Sequence, residues 1–83
     1  MKTLDMKQHI LDDAGFAYSF DRQVYFNRKG RKVVSVEFVQ DRDEEELERL
    51  IRDGNFGSGW KFYFNSEPPE SVKREIEAEL DRG

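Results

Sequence analysis

Two hydrophobic periods divide this chain. Leu4, Met6, Ile10, Leu11 and Ala14 roughly follow the spacing of a helix, with Thr3 able to cap its start and Gly15 able to stop it, so a helix is expected at about 4–14. From Phe16 the pattern changes to alternation, with Phe16, Tyr18 and Phe20 on one side and Ala17 and Ser19 on the other. Residues 23–27 and 32–39 continue in the same manner and are rich in β-branched and aromatic residues, giving three consecutive strands. Asp41 followed by Glu44 has the spacing of a capping box, Leu47, Leu50 and Ile51 form the apolar stripe of a second helix, and Gly54 ends it. After a loop at 55–59, Trp60, Phe62 and Phe64 alternate with Lys61, Tyr63 and Asn65 as a fourth strand. Pro68 and Pro69 suit the first turn of a last helix in which Val72, Ile76 and Leu80 recur every four residues.

The expected order is therefore αβββαβα. A strand, helix, strand connection favours a parallel crossover, so the third and fourth strands should be parallel neighbours in a mixed four-stranded sheet. In the hairpin between the second and third strands, a three-residue loop of Arg28, Lys29 and Gly30 would place Val24 opposite Val34 and Tyr25 opposite Val33. A two-residue Lys29-Gly30 loop would instead pair Tyr25 with Val34 and mix the two faces, which disfavours it. Each helix has one apolar stripe, so the expected α+β fold is a two-layer sandwich with helices packed on one face of the sheet and the other face open. The helix side would hold Phe16, Phe20, Val24, Phe26, Val34, Val36, Phe38, Trp60, Phe62 and Phe64. The open side would hold Ser19, Tyr25, Asn27, Val33, Ser35, Glu37, Lys61, Tyr63 and Asn65.

Composition restricts the size and setting. Eighty-three residues, 36% hydrophobic and 39% charged, suffice for a single small domain, and no apolar stretch approaches the ~20 residues of a membrane span. With no cysteine, no disulfide framework can form, and a cytoplasmic protein that does not engage membranes is expected. The net charge of −4 is unevenly distributed. Arg22, Arg28, Lys29, Arg31 and Lys32 form a basic block without acids, whereas residues 41–53 set seven acids against three arginines and 67–82 set six acids against three bases.

Catalytic and metal chemistry find little support. His9 with Asp5, Asp12 and Asp13 has helical spacing, but one histidine makes a poor start for a metal site and is the only partner any nucleophilic serine could have. Gly57-Ser58-Gly59 precedes a strand, not a helix, so it lacks the polarity of a phosphate-cradling loop. The helix, three strands and helix are similar in order to double-stranded RNA-binding domains. Those carry a lysine-rich start on their last helix, where this chain has Asp43-Glu44-Glu45-Glu46, and the further strand and helix do not fit, so no family is recognised.

Neither a cofactor nor a metal is expected, and the sequence favours a non-catalytic interaction module. Its binding surface would be Tyr25, Asn27, Ser35, Glu37, Lys61, Tyr63 and Asn65 on the open sheet face, engaging a protein partner or a second copy of the chain in a homo-oligomer. The alternative is a nucleic-acid-binding domain that uses Arg22, Arg28, Lys29, Arg31 and Lys32 for phosphates and the tyrosines for stacking.

Overall fold

The computed structural model describes residues 3–54 and 59–82. The elements run α1 (Thr3–Asp13), β1 (Ala17–Ser19), β2 (Val24–Asn27), β3 (Lys32–Ser35), α2 (Val36–Asp41), α3 (Glu44–Arg52), β4 (Lys61–Tyr63) and α4 (Glu70–Arg82). The strands form one open sheet in the order β1-β2-β3-β4, antiparallel through β3 and parallel between β3 and β4. The α+β class, the mixed sheet and the parallel last pair are as the sequence implies. Most of the 55–59 loop, including Gly57 and Ser58, lies outside the described residues.

Local chemistry accounts for the helix ends. Gly15 takes a φ of +95° just beyond α1, where the Phe16 N–H donates to the Leu11 carbonyl (3.0 Å) and the Gly15 N–H to that of Asp12 (3.0 Å). These two bonds make a Schellman cap, which a Cβ at Gly15 would strain. The start of α3 is two residues later than the Asp41 box implies. Asp43 is its N-cap, with Oδ1 accepting from the Glu46 N–H at 2.8 Å and Glu44, Glu45 and Glu46 at the positive end of the helix dipole.

The expected third strand is cut short at Ser35. Its Oγ accepts the Phe38 N–H at 3.1 Å and caps α2, so the order is αβββααβα with four helices. Val36, Phe38 and Val39 satisfy a one-turn helical stripe as well as a strand, and the serine cap decides between them. The hairpin also differs. Tyr25 pairs with Val34 and Val24 with Ser35, the register disfavoured above, across a four-residue turn at 28–31 in which Arg31 has a φ of +55°.

That register follows from the packing. Tyr25 and Val34 lie in a buried cluster with Leu11, Phe16, Val39, Leu47 and Leu50, whereas Val24 and Val33 lie in another with Trp60, Ile76 and Leu80. Consecutive strand residues point to opposite faces, so the two clusters occupy opposite sides of the sheet. Helices α1, α2 and α3 cover one side and α4 covers the other. The expected open face is thus corrected: mixed faces carry no penalty when both are buried. Arg22 pairs with Glu79 at 2.5 Å, Arg28 Nε donates to the Leu80 carbonyl at 3.0 Å, and Trp60 Nε1 donates to Asp81 at 3.0 Å, holding the end of α4 to the sheet. Phe20, expected in the core, is 80% exposed beyond the edge strand β1, and Tyr18 on that strand is also exposed.

Tyr25 is 6% exposed, which makes it a core residue. Tyr25→Ser is expected to destabilise the domain by about 3–5 kcal/mol, as aromatic truncations in cores do. That is a large part of the roughly 4–12 kcal/mol available to a domain this size. Urea unfolding checks it: a variant with an unchanged midpoint would show that the ring is not packed in the core.

Candidate functional site

The expected binding residues separate into several environments. Tyr25 and Ser35 are buried, Ser35 as the cap of α2. Asn27 is half-buried and structural, donating to the Ala14 carbonyl at 3.1 Å and accepting the Gly30 N–H at 3.0 Å. Glu37 is exposed in the first turn of α2, and Asn65 donates to Asp41 Oδ2 at 2.6 Å. Tyr63 packs against the cluster that holds Tyr25, and it meets Lys61 at Asp53: Lys61 Nζ lies 2.6 Å from Asp53 Oδ2, and the Tyr63 hydroxyl donates to the same oxygen at 3.1 Å.

The basic block is dispersed too. Arg22 and Arg28 serve α4, and the Arg28 guanidinium also lies 4.9 Å from the Phe26 ring centroid. Lys32 is 5% exposed and donates to the Leu50 (2.9 Å) and Ile51 (3.0 Å) carbonyls at the end of α3. Burial lowers its pKa, with Asp53 opposing and Lys61 reinforcing the shift. Lys29 and Arg31 lie in the turn at the hairpin tip.

Beside them lies a site that sequence reasoning missed. A groove of about 520 Å³ runs between α2, α3 and β4, lined by Phe38, Arg42, Glu46, Arg49, Leu50, Arg52, Asp53 and Tyr63. Phe38 and Tyr63 meet edge to face with ring centroids 6.0 Å apart, and the Arg42 guanidinium lies 4.2 Å from the Phe38 centroid. A second hollow of about 510 Å³ adjoins it, sharing Arg52 and Asp53 and adding Lys29, Gly30, Arg31, Lys32, Ile51 and Gly54. Together the two are lined by six cations and two carboxylates, in a chain whose net charge is −4. Among the described residues, Lys29, Arg42, Arg49 and Arg52 have no carboxylate partner.

Counting charge by block concealed this groove, because residues 41–53 sum to −4. The legible signal was the spacing of Arg49 and Arg52, three residues apart and therefore neighbours on one helix face. His9, 3.6 Å from Asp13 on α1, is exposed and lines neither hollow. No group of three or more His, Asp or Glu among the described residues is placed to hold a metal ion.

Asp53 organises the junction of the two hollows. Its carboxyl is held below the usual carboxylate range, first by the hydrogen bond from Lys61 and then by that from Tyr63, while the Lys61 pKa is raised by the same bond. Tyr63 is raised by burial and then by its bond to Asp53. A depressed carboxylate stabilises the fold above its unfolded pKa, and the contribution is lost as pH falls through the folded value. The Asp53 link is therefore intact at neutral pH and, on the acid side, is lost below the ordinary aspartate range of about 3.9. Lys61→Met is expected to move the Asp53 titration up towards that value, which 13C NMR of the carboxyl carbon checks; an unmoved titration would remove Lys61 as the main cause.

No family model, curated protein or solved structure matches this chain, and what the groove can bind has to be read from its own residues.

Proposed function

We propose that this chain is a non-catalytic protein-interaction module that captures an acidic segment of a partner protein in the groove between α2, α3 and β4. The observation that carries the reading is the pairing of an aromatic wall, Phe38 and Tyr63, with Arg42, Arg49 and Arg52, none of which has a carboxylate partner among the described residues. Arginine presents a planar fork that binds carboxylates bidentately, and clusters of it recognise acidic motifs. The half-buried rings supply the apolar contact that gives such a segment an anchor.

A volume of about 520 Å³ suits a few side chains of an extended segment. Asp53 does not repel such a ligand as an isolated charge would, because Lys61 already holds it. Two features favour a short acidic segment over a long polyanion. Three of the five cations in the basic block are taken up by α4 and by the end of α3, and the remaining faces of α3 carry Glu45 and Glu48 at the surface. An open sheet face is not on offer for self-association, since Tyr25 is in the core and α4 covers the opposite side.

The test is an amide NMR titration with short Asp/Glu-rich peptides that each carry one Phe or Leu. Shifts are expected at Phe38, Arg42, Arg49, Arg52 and Tyr63, weakening with salt. Arg49→Ala should lower affinity about 10- to 100-fold, the cost of one hydrogen bond to a charged group, while Arg74→Ala on the exposed side of α4 should leave it unchanged. Shifts confined to other surfaces, or equal losses in both variants, would overturn the assignment.

A further inference from the structure

The turn between β1 and β2 carries an aromatic ring that its own core does not use. Phe20 opens this turn and is 80% exposed, and its ring meets that of Tyr18, itself 45% exposed, at 6.3 Å between centroids. A single apolar side chain at a surface needs no explanation, but here the next residue is Asp21, exposed and, among the described residues, without a cationic partner. The turn is held in shape from behind. The Gln23 N–H donates to the Ser19 carbonyl at 2.8 Å, the Val36 N–H donates to the Gln23 carbonyl at 3.2 Å, and the Arg22 guanidinium is taken by Glu75 and Glu79 of α4. A tip fixed in this way loses little freedom when it docks.

An aromatic ring followed by a carboxylate matches the groove between α2, α3 and β4. Phe38 and Tyr63 offer a wall for the ring, and Arg49 and Arg52, exposed beside it, offer planar donors to the carboxylate. The tip lies away from the groove of its own chain. In the order β1-β2-β3-β4 it belongs to the edge opposite Tyr63, with roughly 14 Å of sheet between β1 and β4. A donor at one edge and an acceptor at the other make a head-to-tail contact between copies, which is heterologous rather than two-fold.

Resting on the groove reading above, we propose that the acidic segment it captures is the Phe20-Asp21 turn of a second copy of this chain. Sedimentation velocity over a concentration series tests this with the wild type, Phe20→Ser and Arg49→Ala. The wild type is expected to associate, and each variant to associate about tenfold more weakly or less, the worth of one hot-spot side chain. Both replaced side chains are exposed, so the fold is kept, which urea midpoints check. Mixed together, the two variants are expected to form a one-to-one complex of wild-type affinity that grows no further, because Arg49→Ala supplies an intact turn and Phe20→Ser an intact groove. Association that survives in either variant alone overturns the head-to-tail contact, and survival in Arg49→Ala only replaces it with a pairing of two β1 edges. A mixture that stays monomeric overturns it as well. A wild type that stays monomeric while binding the acidic Phe-bearing peptides overturns the self-docking and leaves the groove reading standing. One that neither associates nor binds those peptides overturns both.

Discussion

The ammonium of Lys32 is the contact on which the arrangement of the α3 side depends. It sits on β3, buried, and donates to the Leu50 and Ile51 carbonyls in the last turn of α3, where the helix runs short of amide donors. Holding a charge there is costly, which is why burial lowers its pKa, and two charge-assisted hydrogen bonds offset the cost. The contact fixes the end of α3 over the sheet next to β4. Asp53 then falls within reach of Lys61 and Tyr63, and Arg52 falls between the two hollows.

Lys32 and Lys61 are also neighbours across the β3-β4 pairing, where like charges repel. Asp53 resolves that conflict by taking the Lys61 ammonium, while the carbonyls take Lys32. Among the described residues, the same distribution leaves Arg42, Arg49 and Arg52 without acidic partners, although α3 is rich in glutamate. Its leucines face the core and its glutamates start the helix or face solvent, so the arginines collect along the groove.

Packing on both sides of the sheet explains why a small chain with 39% charged residues can hold a core. Each side buries its own cluster, and polar side chains close the ends: Arg22, Arg28 and Asp81 around α4, Lys7 from α1 to the Gln40 carbonyl at 3.1 Å. No helix among the described residues is long and apolar enough to cross a membrane. Among the described residues, the large apolar side chains left exposed are Met6 on α1 and, at the β1 edge, Tyr18 and Phe20, whose rings meet edge to face at 6.3 Å.

The sequence by itself determined those features whose signals are local. Gly15 ends α1 because only a residue at ease with positive φ completes that cap, the spacing of Val72, Ile76 and Leu80 makes α4, and the strand, helix, strand order sets β3 parallel to β4. Tertiary structure decided what local pattern leaves degenerate. Val24, Tyr25, Val33 and Val34 are apolar on both sides of their strands, so alternation cannot choose a register, and only the presence of helices on both faces selects the pairing of Tyr25 with Val34. The groove is of the same kind. Its cations lie at 29–32, 42 and 49–52, segments whose summed charges have opposite signs, and they meet because the sheet order and the Lys32 contact bring the end of α3 to the hairpin and β4. Charge summed along a chain ignores direction, whereas binding depends on which side chains share a surface.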